Sequence, residues 1–122
     1  MKTVLPAMVL LIAIAATANA QVPIAGKGDT MRLDAARLPQ PMKANYERMR
    51  EKCTKCHSLE RVLLPFQTGI TPITMQPFDM DTVKSITFNM VRKSNGKNYP
   101  ISKDEAKSLS ALLKYLLDES VR

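Results

Sequence analysis

No tryptophan occurs in the 122-residue chain, which has only three phenylalanines, three tyrosines, four glycines, two cysteines and a single histidine. So few aromatic side chains cannot fill a core by themselves. A domain of about a hundred residues buries a modest share of its surface and often needs a metal, disulfides or a cofactor to be stable. Two cysteines and one histidine are too few for a closed structural zinc site, which takes about four protein ligands. No βαβ pattern surrounds the cysteines, which argues against a thioredoxin-like redox pair. Beyond residue 20 no apolar run approaches the ~20 residues that a membrane-spanning helix needs.

What is present starts with an export pattern. Lys2 precedes an apolar run from Ala7 to Ala16, and Ala18-Asn19-Ala20 stands before Gln21. This predicts a signal peptide over residues 1–20, cleaved after Ala20 to leave a mature periplasmic product without a transmembrane segment. The formal charge of +7 falls by one when Lys2 leaves. A basic balance of this kind bears on partners, and here it suits steering toward acidic docking faces. Nucleic acid is disfavoured by the export pattern and by the lack of stacking aromatics among the basic residues.

Residues 21–41 hold Pro23, Gly26, Gly28, Pro39 and Pro41 among scattered apolar residues, and read as an irregular N-terminal arm with at most a short turn around Asp34 to Leu38. From Met42 the spacing of Met42, Tyr46, Met49 and Cys53 predicts a first helix running into the cysteines. Ser58 to Phe78 is apolar but interrupted by Pro65, Gly69, Pro72 and Pro77, which predicts a loop and excludes a long helix or central strand. A second helix should start near Asp79 to Asp81, carry Val83, Ile86 and Met90 on one face, and stop at Asn95-Gly96 through a left-handed residue. A third has a capping box at Ser102 and Glu105, then a buried stripe of Ala106, Leu109, Leu113, Leu116 and Leu117. The fold class is all-α, three main helices with apolar loops.

The chemistry is concentrated at Cys53-Thr54-Lys55-Cys56-His57. Two cysteines two residues apart, followed at once by histidine, are the attachment pattern of a c-type haem. Positions three apart on a helical turn lie side by side, so Cys53 and Cys56 can each bond a vinyl group along one haem edge while His57 faces the iron. A plain disulfide suits the oxidising compartment, but it leaves the only histidine beside the second cysteine unexplained. With no second histidine, the other face of the iron falls to a methionine, whose thioether raises the reduction potential. The mature chain offers Met31, Met42, Met49, Met75, Met80 and Met90; Met42 and Met49 read as core, and Met31 lies in the arm.

With these elements in this order, the stretch from Met42 to Glu119 resembles the class I c-type cytochromes. The specific part is Cys53 to His57. Support comes from Tyr115-Leu116 in the last helix and from Met90 within Phe88-Asn89-Met90-Val91-Arg92-Lys93 ahead of Asn95-Gly96, similar to the short subgroup of that family. The resemblance implies a cytochrome c domain over residues 42–122 with one covalent haem c, His57 as proximal ligand and Met90 as distal ligand, Met80 and Met75 being the alternatives. It also implies a backbone carbonyl from the Leu64-Pro65 region orienting the histidine, and Arg92 and Lys93 near the propionates. The chain departs from the family in lacking a glycine in the helix before the motif, where Asn45 and Tyr46 stand, and in lacking a Gly-Pro pair after His57. The implied role is that of a monomeric one-electron carrier between redox proteins, not an enzyme. The rivals are a haem-carrying subunit of a larger dehydrogenase and, with no distal histidine to serve it, an open-site haem enzyme or gas sensor.

Overall fold

The computed structural model describes residues 22–98 and 100–120; the predicted signal peptide and its cleavage site lie outside them. Four helices, α1 (Gln40–Cys53), α2 (Leu59–Thr68), α3 (Met80–Ser94) and α4 (Lys103–Ser120), follow a two-stranded hairpin of β1 (Ile24–Ala25) and β2 (Arg32–Leu33). The class is therefore all-α with little strand, and there is one helix more than the sequence predicts.

The additional helix is α2, within the stretch read as a loop. Pro65 lies inside it and removes one backbone donor, yet the helix continues to Gly69. That glycine takes the left-handed conformation at φ +75 and donates its N–H to the Pro65 carbonyl at 2.8 Å. A strongly one-sided apolar pattern, with Leu63 fully buried, outweighs the ~3 kcal/mol that an interior proline costs. The loop is confined to residues 70–77, closed by a bridge between Ile70 and Pro77 and by Phe78 packed edge-on to Phe66 at 4.9 Å.

The arm is also more ordered than its composition suggests. Ile24 pairs with Leu33 and Ala25 with Arg32, and the anticipated turn after Asp34 is a 3-10 turn at Ala35–Arg37 in which the Ala36 N–H donates to the Asp34 carboxylate at 3.2 Å. Gly26 makes the hairpin tip feasible: its φ is +77, and a Cβ there would come within 2.3 Å of the Thr30 carbonyl oxygen. Met31, Leu33 and Leu38 are buried in the main core. The Tyr46 hydroxyl of α1 accepts the Leu33 N–H at 3.0 Å in a buried setting. Tyr46→Phe should thus strand a buried donor and cost about 1–3 kcal/mol, read as a lower midpoint in chemical denaturation. An unchanged midpoint would mean water satisfies Leu33.

The α3 and α4 starts follow their sequence signals. The Asp79 carboxylate accepts the Thr82 N–H at 2.8 Å, a bond that holds its carboxyl below the usual range. Ser102 and Glu105 exchange reciprocal bonds of 3.1 Å. Helix α3 ends at Ser94, just ahead of Asn95-Gly96 as predicted, but not through a left-handed residue. Asn95 is right-handed at φ −60, and the chain instead turns through the Ser94 hydroxyl, which accepts the Ile101 N–H at 3.0 Å.

Helix α4 packs against α1, α2 and α3. Its fully buried residues are Leu112 and Leu116, with Leu109 nearly so; the predicted stripe omits Leu112, although its spacing from Leu109 and Leu116 puts it on their face, and Ala106, Leu113 and Leu117 are half-buried. Along the α1 contact, Lys52 pairs with Glu105 at 3.4 Å and Arg48 donates to the Ser108 hydroxyl. The two helices meet without a glycine in α1, whose buried residues are Tyr46 and Met49.

Candidate functional site

Between α1, α2, α3, α4 and the 70–77 loop lies a cavity of about 320 Å³. Its inner wall is apolar: Met49 from α1, Pro65 from α2, Val83 from α3, Leu109 from α4 and Ile101 are all buried and line it. Pro72, Ile73 and Thr74 line it from the loop while remaining exposed, so the loop forms part of the mouth. Thr71 is 4% exposed, and its hydroxyl accepts the Gln76 N–H at 3.1 Å and bonds the Thr74 hydroxyl, which fixes the loop's shape.

Cys53, His57 and Met90 all line this one cavity. Cys53 is the last residue of α1, and residues 54–56 form the turn that carries the chain to His57. The Thr54 hydroxyl donates back to the Arg50 carbonyl and closes the helix end. Met90 reaches the cavity from the α3 face that also bears Val83 and Ile86, the face foreseen from their spacing. Met75 and Met80 are not among the lining residues. Met75 holds a left-handed backbone at φ 54 with its side chain 64% exposed, and Met80 is the half-buried first residue of α3. Cys56 is exposed on the turn, outside the lining. Met49, read as core, is both core and cavity wall.

The Nδ1 of His57 lies 3.1 Å from the Ser58 carbonyl oxygen. A carbonyl only accepts, so this bond puts the ring proton on Nδ1 and leaves the Nε2 lone pair for a metal. The carbonyl is not the one expected from the Leu64-Pro65 region. Those residues are helical, so their carbonyls run along the α2 axis and accept from Thr68 and Gly69.

Burial pushes the Cys53 thiol up to about 11 from an ordinary 9.0, with the nearby Cys56 adding to the shift. At pH 8 roughly one Cys53 in a thousand is then a thiolate. In haem-free protein, iodoacetamide at pH 8 should therefore label the exposed Cys56 well before Cys53, as peptide mapping would read. Equal labelling would show that Cys53 is not shielded. Because the interior favours the neutral thiol, the haem-free fold also loses stability as pH rises from 9 toward 11.

The donor set fits a haem. An imidazole with a fixed tautomer, a thioether on a different helix and a cysteine at the edge share an apolar cavity. No group of three or more His, Cys, Asp or Glu able to hold a metal ion occurs among the described residues, and a haem iron asks the protein for only two axial ligands. No described helix is long and apolar enough to cross a membrane. No family model, no curated protein and no solved structure matches the chain.

Proposed function

We propose that the chain is an exported monohaem c-type cytochrome that carries single electrons between redox proteins in the periplasm. The observation that carries this reading is the convergence of Cys53, His57 and Met90 on one apolar cavity. The cofactor supplies the one-electron chemistry, and the protein tunes it through the axial ligand, burial and nearby charge. In this reading Cys53 and Cys56 tether the cofactor, and the Ser58 carbonyl holds His57 in the tautomer that presents Nε2. Met90, which lines the same cavity, would offer its thioether to the iron as the second protein donor beside His57, and with both donors in place no site for substrate would be left at the metal. Met49, Val83 and Leu109 exclude water from the cavity.

Absorption spectra of the exported protein test this directly. The reduced form should show sharp c-type haem bands, and the oxidised form a weak far-red sulfur-to-iron band. Haem-free protein from cells that mature other c-type cytochromes would end the reading.

One observation favours the related reading of a dedicated subunit of a larger dehydrogenase. Ile73, Phe88 and Met75 are 73%, 69% and 64% exposed. Large apolar side chains in water mark contact surfaces when they cluster. Co-purification with a stoichiometric partner at high salt would select the subunit; elution alone would select the free carrier.

A further inference from the structure

We propose that Met75 is an oxidation site, where an oxidant of the peroxide class converts the thioether to a sulfoxide ahead of every other described methionine and makes an apolar part of the mouth loop polar. The site needs no haem and goes beyond the electron-carrier reading. Thioethers react according to how freely an oxidant reaches the sulfur. Among the six described methionines, Met31 and Met49 are buried, and Met42 and Met80 are half-buried. The Asn45 amide also donates to the Met42 sulfur at 3.8 Å. Met75 and Met90 are left, at 64% and 37% exposed. Met90 lines the cavity, and in the cytochrome reading its sulfur lone pair goes to the iron. Met75 does not line the cavity, so no iron bound there would shield it.

The backbone holds Met75 in this place. At φ 54 it is the one residue other than glycine in the left-handed region among the described residues, a conformation that persists only where the surroundings fix it. Here hydrogen bonds do so. Met75 donates its N–H to the Thr71 carbonyl at 3.0 Å, and Thr71 donates its own N–H to the Gln76 carbonyl at 2.9 Å. The Thr71 hydroxyl accepts the Gln76 N–H at 3.1 Å, and the bridge between Ile70 and Pro77 closes the base. None of these bonds uses the Met75 side chain. Backbone strain of this kind collects at functional positions, and in this loop it presents a thioether to water.

The chemistry balances without a metal. The sulfur lone pair attacks one peroxide oxygen, the O–O bond breaks, and the proton of the attacked oxygen passes to the leaving one, which departs as water when the oxidant is hydrogen peroxide. Sulfur loses two electrons and the peroxide gains them. The sulfoxide is polar where the thioether was apolar. Ile73 and Met75 are the large exposed hydrophobics of the loop, so one added oxygen leaves Ile73 alone, and an apolar contact made through the loop is weakened.

The test treats three samples with hydrogen peroxide: mature holoprotein, the chain exported without a c-type maturation system, and holoprotein carrying Met75→Leu, a swap that keeps volume. Tryptic mapping locates each added oxygen, with Met75 and Met80 of the shared peptide Val62–Lys84 separated by fragmentation. In the holoprotein Met75 should oxidise about tenfold faster than Met80 or Met90, and the oxidised protein should leave a hydrophobic-interaction column earlier. Met75→Leu should lose both the early oxidation and the earlier elution. In the haem-free chain Met75 should still lead, with Met90 faster than in the holoprotein because no iron holds its sulfur. Met80 or Met90 oxidising as fast as Met75 overturns the site, as does an elution that Met75 oxidation leaves unchanged. Met75 leading while Met90 reacts alike with and without haem supports the site and counts against Met90 as ligand. A protein that never acquires haem overturns the cytochrome reading alone, since the haem-free chain still reports Met75.

Discussion

One haem should add to the mass of the mature chain and stay with it through denaturation when the protein is exported alongside a c-type maturation system. The result follows from the bond type, because thioether links outlast unfolding whereas axial bonds do not. Cys53→Ala and Cys56→Ala should each weaken attachment, and the double variant should lose it entirely. His57→Ala should retain thioether-bound haem but lose the proximal ligand, with a changed spectrum in both oxidation states. Cys53 lines the cavity and Cys56 stands on the exposed turn beyond it, so the losses should be unequal, with Cys53→Ala the more damaging. Denatured wild-type protein that releases its haem would show that the motif does not attach it.

Met90→Ala should abolish the far-red sulfur-to-iron band of the oxidised protein, open the iron to added ligands and lower the potential. The drop should be on the order of tenths of a volt, against the ~0.8 V range that axial ligation spans. Met90 is 37% exposed, so its truncation removes little packing, and alanine suits the interior of α3. Loss of the band would therefore report lost ligation and not lost fold. Met75→Ala and Met80→Ala should keep the band, since neither residue lines the cavity with His57. Loss of the band from either of those variants, with Met90→Ala unaffected, would reassign the ligand. An oxidised wild-type spectrum without the band would favour an open-site haem protein over the carrier.

Much of this molecule was legible without coordinates because its signals are local. A capping box needs two residues three apart, and Ser102 and Glu105 make the reciprocal bonds that their spacing implies. Asp79 caps α3 for the same reason. The faces of α1 and α3 follow from the helical period, which is why Met49, Cys53 and Met90 were on the right sides of their helices before anything showed what those sides met. The motif from Cys53 to His57 is likewise a contiguous pattern.

The remainder depended on contacts between distant segments. Pro65 argues against a helix when judged by propensity, and α2 forms nonetheless because Leu63 and Pro65 are buried against neighbours absent from the local sequence. The arm holds its place through a hydrogen bond from Leu33 to Tyr46, thirteen residues apart. The α3 stop is made by Ser94 and Ile101, a pairing that spacing does not announce. At the site, composition counted six candidate methionines beyond residue 20, and only the packing of α1 and α3 against α4 brings Met90 into one cavity with His57. Sequence by itself thus determined the motif and the helix faces, which rest on residues within a few positions of one another. The tertiary structure decided which faces meet, since burial depends on surfaces that the chain brings together only when folded.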